Sequence, residues 1–308
     1  MENIKVDVII PAYHPGKEFS ALIDCLVKQT IPVHRIIVMN TEKAFWNPEL
    51  ENRYSLLEVH HLKKQEFDHG KTRAIAAELS DAEVMVFMTQ DAMPSDQKLL
   101  ENLVKALMQN TDIGAAYARQ LPNAECSFVE RYTRSFNYPD QSVVKTKKDL
   151  PVYGIKTFFC SNVCAAYKKD IYQKMGGFIR KAIFNEDMIY AGRLIQEGYG
   201  IAYAADAKVI HSHNYSCMQQ FHRNFDLGVS QAEHPEIFEG VPSEGEGVKL
   251  VKKTISYLFR KGKIWLIPGV VLQSGCKYAG YLAGKKYRKL PRKMILWCTM
   301  NREYWKDL

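Results

Sequence analysis

Along the first 120 positions, short apolar β-rich runs alternate with longer stretches of helical period, the pattern of βαβ units around a parallel sheet. The run VDVIIPAY (6–13) has little polar interruption, as strands covered on both faces do, and predicts a first strand. His14-Pro15-Gly16 then turns the chain into a helix that puts Phe19, Leu22, Ile23 and Leu26 on one face. RIIVMN (35–40), LLEVHHL (56–62) and VMVFMTQD (84–91) predict three more strands, with helices at about 70–79 and 97–109 filling the crossovers.

Beyond position 120 the pattern weakens. Residues 120–157 are polar, rich in Tyr, Arg and Lys, and read as an irregular excursion. Order returns with a strand in FFCSNVCAAY (158–167) and a short helix closing at Gly176-Gly177. A helix follows that starts with Glu186 and Asp187 in its first turn and ends at Gly198 or Gly200. IAYAADAKVIHSHNYS predicts a further strand pair, and 218–238 another helix. No internal repeat or low-complexity tract interrupts this order.

Functional loops of parallel sheets gather at the carboxyl ends of the strands, which places Tyr13, Asn40, His69 and Asp91 on one rim. No Gly-x-Gly-x-x-Gly follows the first strand and no Walker lysine loop occurs, which argues against a dinucleotide-binding Rossmann enzyme and a P-loop NTPase.

Composition adds scale and an asymmetry. With 308 residues and 46% hydrophobic content, the chain can bury a full core and carry an appendage. Its opening, MENIKVDVII, lacks the apolar length and cleavage pattern of a signal peptide, so a cytoplasmic protein is expected. Seven widely spread cysteines predict reduced thiols, and CSNVC (160–164) reads better as small side chains around a strand than as a metal site. The net charge of +8 divides unevenly: residues 249–308 hold fifteen Lys or Arg against Glu303 and Asp307, a net +13, so the rest carries −5. These basic residues alternate with apolar clusters such as TISYLF and ILWCTM, which suits an anionic membrane surface better than nucleic acid. No RNA-binding signature is present, and Pro268, Gly269, Gln273 and Lys277 interrupt the apolar run before it is long enough to span a bilayer. A helical subdomain merely solvated by its charges is the competing reading. The expected organisation is a catalytic domain over 1–240 and a basic amphipathic helical segment over 241–308.

Several pieces occur in a telling order: IIPAY closing one strand, VMN closing the next, HGKTR before a helix, TQDAMP, GGF followed by NED, and HSH. Together, over roughly residues 4–230, they resemble the family 2 inverting glycosyltransferases of the GT-A fold, and TQDA and HSHNYS are most similar to bacterial rhamnosyltransferases that use dTDP-L-rhamnose. The chain departs from the family in places: Thr89 stands where an Asp-x-Asp would begin, Asn40-Thr41 replaces paired aspartates, Arg73-Ala74 replaces Arg-Asn, and Asn224 stands where Gln-x-x-Arg-Trp would end.

The resemblance implies an α/β, Rossmann-like, mostly parallel sheet and a metal-dependent hexosyltransferase of cell-surface glycan synthesis, peripheral on the inner face of the cell membrane. It would move L-rhamnose from dTDP-L-rhamnose to a lipid-linked or polysaccharide acceptor. Departure of a nucleotide diphosphate concentrates negative charge, and Mg²⁺ or Mn²⁺ can hold it with few protein ligands when substrate phosphates complete the shell. Asp91 is the carboxylate for that ion, although alone it would read as a turn or cap residue before Pro94. His211 and His213, on one face of an expected strand, are the partner ligands, with His211 favoured by analogy. Asp187 takes the family's general-base position, flanked by Glu186, which orients the acceptor or supports the helix start. Pro11, Tyr13 and Asn40 would line the nucleotide base and Gln90 belongs to the same motif, while His69, Gly70, Lys71 and Arg73 offer a helix N-terminus for phosphate or a plain capping turn. Arg223 would close over the pyrophosphate or acceptor. A UDP-hexose donor, or a non-catalytic nucleotide- or glycan-binding subunit, remains the alternative, no nucleic-acid partner is expected, and an oligomer is left open.

Overall fold

A computed structural model describes residues 4–241 and 244–306. In chain order its main elements are β1 (Val6–Tyr13), α1 (Lys17–Val27), β2 (Arg35–Thr41), α2 (Glu49–Arg53), β3 (Leu57–Leu62), α3 (His69–Leu79), β4 (Val84–Met88), β5 (Met93–Pro94), α4 (Leu99–Met108) and β6 (Ile113–Leu121). Then come α5 (Phe128–Asn137), β7 (Val143–Lys145), α6 (Leu150–Tyr153), β8 (Cys164–Lys168), α7 (Lys169–Lys174), α8 (Glu186–Gln196), β9 (Gly200–Ile210), α9 (Cys217–Glu233), α10 (Pro235–Phe238), α11 (Glu244–Arg260), α12 (Ile267–Lys285) and α13 (Arg292–Cys298). They form two compact units: the first holds 1–121, 138–181 and 186–211, the second 122–137, 182–185 and 212–308.

The first unit contains every strand. Its sheet runs β3-β2-β1-β4-β8-β6-β9-β5, with β7 also on β9. Strands β3, β2, β1 and β4 are parallel, as the apolar runs predict, and β6 pairs parallel with β9. Strand β8 runs against both its neighbours, and β5 and β7 run against β9, so the sheet is mixed beyond β4. Helix α1 starts from Gly16, which offers no side-chain cap, a loss of only about a few tenths of a kcal/mol. It buries Phe19, Leu22, Ile23 and Leu26, each contributing roughly 1.5–3 kcal/mol, so packing outweighs the missing cap.

Several boundaries differ from the sequence pattern. Strand β4 ends at Met88, and the residues after it, Thr89–Ala92, form a turn closed by Ala92 N–H donating to Thr89 O. The run 158–167 yields a strand only from Cys164, after a 3₁₀ turn at 154–158. The expected strand pair after 200 is one strand, β9, in which Ala118 pairs with Ala204 but Arg119 with Lys208. A bulge of three residues, Ala205 to Ala207, mimicked a turn in the sequence. His211 and His213 both lie past its end, so strand alternation does not set where their rings point. The polar excursion after 120 contains a helix, α5.

The second unit is helical. Helices α9 and α12 approach so closely that a Cβ on Gly228, Gly280 or Gly284 would fall within 2.1–2.3 Å of a backbone carbonyl oxygen on the facing helix. Phe225 and Val229 of α9 pack with Ile183, Cys298 and Trp305. Asp226 ties α9 to the chain end, accepting from Thr299 Oγ1 (2.6 Å) and Met300 N (3.0 Å). Among the described residues no helix is long and apolar enough to cross a membrane.

Candidate active site

The carboxyl ends of β1, β2 and β4 form the rim of the first unit. Tyr13 ends β1, and Gln90, in the turn after β4, clasps it twice: Tyr13 N donates to Gln90 Oε1 (2.8 Å) and Gln90 Nε2 donates to Tyr13 O (2.9 Å). Gln90 thus extends the parallel ladder by one side chain, and its amide is engaged in that role. The Tyr13 ring is exposed and meets His14 edge-on, and His14 in turn stacks on Phe45 at 3.3 Å between centroids. His14 sits at φ 50°, an uncommon conformation for a side chain other than Gly, which turns its ring onto Phe45. Pro11 lies two residues inside, in β1, and is half-buried.

Asn40 is fully buried in β2, and its side-chain nitrogen faces Glu42 O (3.2 Å) and His61 Nδ1 (3.0 Å). Its side-chain nitrogen is thus engaged within the protein, whereas Oδ1 has no hydrogen-bond partner among the described residues.

Sheet register brings Asp91 to His211. The antiparallel pairs Met93↔Ile210 and Pro94↔Val209 put the residues just before Met93 beside those just after Ile210. His211 Nε2 lies 3.5 Å from Asp91 Oδ2, with the histidine buried and the carboxylate 46% exposed. The backbone N–H of His211 still donates to Leu121 O at 2.9 Å, holding it to the end of β6. Gln120 completes the arrangement: its Nε2 donates to Ser161 Oγ (3.1 Å), which orients the amide and leaves Oε1 facing His211 Nδ1 at 3.1 Å. A carbonyl oxygen only accepts, so this contact puts a proton on Nδ1 and turns Nε2 toward Asp91. One carboxylate and one imidazole nitrogen is a donor set that fits a hard divalent ion completed by substrate oxygens. His213 follows in the second unit, where its ring lies 5.1 Å from that of Tyr215.

The second carboxylate pair opens α8. Asn185, at φ 63°, turns the chain into it. Asp187 accepts from its neighbour Met188 N (2.8 Å) and from Asn162 N (3.0 Å). Glu186 is buried, receives Asn162 Nδ2 (3.1 Å), and pairs with the equally buried Arg73, 3.2 Å away. Tyr167 O–H donates to Asn162 Oδ1 at 2.7 Å, so the asparagine is fixed from both sides. Desolvation and the neighbouring Glu186 charge raise the Asp187 pKa well above the ordinary carboxylate range, against the two backbone donors and Arg73, which lower it. A carboxylate so perturbed is a better base near neutral pH than a solvated one.

HGKTR takes its capping reading. Asp68 Oδ1 accepts from Gly70 N (2.8 Å) and Lys71 N (2.9 Å), so these two donors at the start of α3 are already paired. Lys71 is exposed; Arg73 is turned inward, donating to His69 O (3.0 Å) and facing Glu186. Its role is to compensate the α8 carboxylates, not to meet an anion in solvent. The ring of His69 lies edge-on to Phe67 at 5.2 Å. Arg223, on α9 in the second unit, lies over the rings of Phe184 (4.6 Å) and Tyr215 (5.7 Å). Two residues with no charge or motif to mark them, Gln120 and Asn162, contact the histidine and the carboxylates of these groups. Asn162 lies within CSNVC, whose Cys160 and Cys164 are buried free thiols.

Residues 7–176 match the description "Glycosyl transferase family 2". The chain belongs to that family. It is 36% identical over 99% of its length to the O-antigen chain rhamnosyltransferase RfbN of Salmonella typhimurium, covering 97% of that protein. To the O-antigen chain rhamnosyltransferase WbaN of Salmonella anatum it is 34% identical over 98% of its length, covering 96% of that protein. Among solved structures it is similar to the mannosyltransferase PcManGT of Pyrobaculum calidifontis, in complex with GDP-Man and Mn²⁺, with a TM-score of 0.57 and 17% identity, over 98% of this chain and 85% of that one. It is also similar to residues 1–349 of S. aureus TarS, with a TM-score of 0.55 and 15% identity, over 93% and 92% of the two chains. The fold is thus GT-A, and this glycosyltransferase carries its two carboxylate groups, Asp91 and Glu186-Asp187, on one sheet scaffold.

Proposed function

We propose that this glycosyltransferase moves L-rhamnose from dTDP-L-rhamnose, with inversion, to a lipid-linked or polysaccharide acceptor. The observation that carries the reading is the similarity, over nearly the whole of both chains, to two O-antigen chain rhamnosyltransferases. The exposed ring of Tyr13, with the His14–Phe45 stack beside it, supplies an aromatic face for the nucleotide base, and Gln90 fixes where that face stands. Asp91 and His211 would hold Mg²⁺ or Mn²⁺, which when bound would neutralise the charge left on the diphosphate as its bond to carbon 1 breaks.

Gln120 keeps His211 in the tautomer that presents Nε2, and Asn162 aims Asp187. An acceptor hydroxyl attacks carbon 1 from the face opposite the departing diphosphate, and its proton passes to Asp187, whose raised pKa suits it to take one near neutrality. Glu186, locked between Arg73 and Asn162, supports Asp187 and raises its basicity. His213 keeps its place as a further candidate ligand for the ion, and Arg223 its expected role of closing over the pyrophosphate or acceptor. The basic residues of 249–308 hold the protein to an anionic membrane surface, where a lipid-linked acceptor would reside.

A donor panel assayed by mass spectrometry with Mg²⁺ or Mn²⁺ tests the donor: transfer from dTDP-L-rhamnose well above UDP-hexoses is expected, and a preference for a UDP-hexose would overturn it. Asp91→Ala tests the ion, with activity at saturating Mn²⁺ expected to fall ~100-fold or more as charge stabilisation on the leaving group is lost. Unchanged manganese-assisted dTDP binding in that variant would remove Asp91 from its role.

A further inference from the structure

The second unit holds a cavity of about 1110 Å³, at or above the upper end of ordinary small-molecule pockets. Its lining comes from α5, α9, α11 and α12, and from 213–216, beginning with His213 two positions after His211. Most of that lining is apolar, including Leu227, Val251, Leu266 and Val270. The cavity is open to solvent, because three lining residues, Val248, Val271 and Tyr278, are each more than half exposed. Beyond them the same helices and the turn that joins them expose Phe259, Trp265 and Leu272, each above 60%.

The charges in the lining are few and not balanced. Glu130 is the one carboxylate there among the described residues, and it is held by Arg134 at 2.7 Å. Lys252 and Lys277 are the lining cations, so with Glu130 compensated the cavity keeps a positive character. Lys277 is held in partly desolvated surroundings that lower its pKa, a setting in which an anion would be bound with little competition from water.

We propose that this cavity takes the hydrocarbon chain of an anionic lipid drawn from the membrane, with its phosphate head set against Lys277 at the apolar wall. Three features argue for a lipid over a peptide or a second copy of the chain. The void is large and mostly apolar, the helices that line it and the turn between them expose aromatic and aliphatic side chains, and residues 249–308, which supply much of it, carry a net +13, the charge complement of a phosphate-bearing bilayer. The inference rests on the proposed transferase reading for its purpose, since a tail held here would tether an acceptor to the enzyme that glycosylates it.

The full chain is titrated calorimetrically with dodecyl phosphate below its micelle concentration, and in parallel with inorganic phosphate, dodecyl maltoside and dTDP with Mn²⁺. Dodecyl phosphate is expected to bind in the micromolar range, with Kd raised ~10-fold by Val271→Trp or Val248→Trp, which plug the mouth from two helices at already exposed positions. Lys277→Gln should raise Kd ~5-fold for dodecyl phosphate and leave dodecyl maltoside unaffected. Binding that survives both tryptophan variants, or inorganic phosphate binding as tightly as the lipid, overturns the proposal. Equal affinity for dodecyl maltoside, with no effect of Lys277→Gln, overturns the phosphate assignment. Failure of the wild type to bind dTDP would sink the transferase reading instead, and dTDP binding unchanged in the tryptophan variants keeps the two failures apart.

Discussion

Two clusters of carboxylate and histidine sit at opposite edges of the sheet of the first unit. At the amino ends, Asp7, His34 and Asp81 offer ligand atoms within 4.8 Å of one another. At the carboxyl ends, Asp91 faces His211 at 3.5 Å. Residue types alone do not separate them. Their surroundings do: Arg35 reaches into the first cluster, donating to Asp7 (3.2 Å), Glu58 (2.9 Å) and Asp81, while Ser80 Oγ donates to Asp7 Oδ2 at 2.7 Å and His34 meets Oδ1 at 2.9 Å. That cluster carries its own cation and its buried member, Asp7, has both oxygens engaged. At the other end the carboxylate is exposed, and its neighbouring imidazole is held by Gln120 so that Nε2 faces it. The difference is that the first cluster is closed by the protein's own cation, whereas the second, on the proposed reading, takes its positive charge from a bound ion.

The largest expected effect belongs to the other carboxylate of the catalytic end. Asp187→Asn should lower turnover ~10³-fold, within the range of general-base loss, while dTDP binding and the melting temperature stay near wild type. Since the Asp187 pKa is raised, the basic form grows as pH rises, so the rate should climb with pH up to that pKa and then level off. Glu186→Gln removes the neighbouring negative charge and frees Arg73, both of which lower the Asp187 pKa, so the rising limb should move to lower pH. A limb that stays in place in Glu186→Gln would show that another group sets it.

Next comes the amino end. Arg35→Met removes the cation and leaves the buried Asp7 charge with hydrogen-bond partners but without its guanidinium, which should cost ~3 kcal/mol in unfolding free energy by urea titration. Donor affinity and turnover of the remaining folded enzyme should not move. A loss of Mn²⁺ response in Arg35→Met would erase the distinction between the two clusters.

A smaller effect distinguishes positioning from ligation. Gln120→Leu keeps the volume near His211 but removes the acceptor for Nδ1–H, so the ring loses its preferred tautomer. Affinity for Mn²⁺, measured with dTDP bound, should weaken ~10-fold, with turnover recovering at saturating metal. A fall that saturating Mn²⁺ does not rescue would mean that Gln120 does more than orient the ring.

How much of this was legible in the sequence follows from what each feature depends on. The strands β1 to β3 and the helices packed on them are written in local apolar periodicity, and their bounds fall within a residue or two of expectation. The family order of motifs singles out Asp91, His211 and Asp187, all of which lie in the first unit. What escaped were two amides acting across long sequence separation, Gln120 to His211 and Asn162 to Glu186 and Asp187, and the inward pairing of Arg73 with Glu186. An amide has no charge or period to mark it, and only the pairing of β6 with β9 brings the end of one strand, at Gln120, beside the end of the other, at His211. The single long β9 escaped for a related reason, since a bulge looks like a turn unless its partner strand is known.

The smallest expected effect is also the most direct probe of the comparison. His34 Nδ1 lies 2.9 Å from Asp7 Oδ1 and 3.8 Å from Asp81 Oδ1, so its main contact is with one buried oxygen. His34→Gln keeps a side-chain donor of similar reach, and stability should stay within ~1 kcal/mol of wild type. His34→Ala leaves that oxygen without its partner and should cost ~1–3 kcal/mol. Neither change should alter Mn²⁺ affinity or turnover, because Arg35 already supplies the positive charge that a metal would bring. If His34→Gln weakened Mn²⁺ binding as much as a change at His211, the amino-end cluster would be a metal site in its own right, and closure by Arg35 would no longer distinguish the two ends of the sheet.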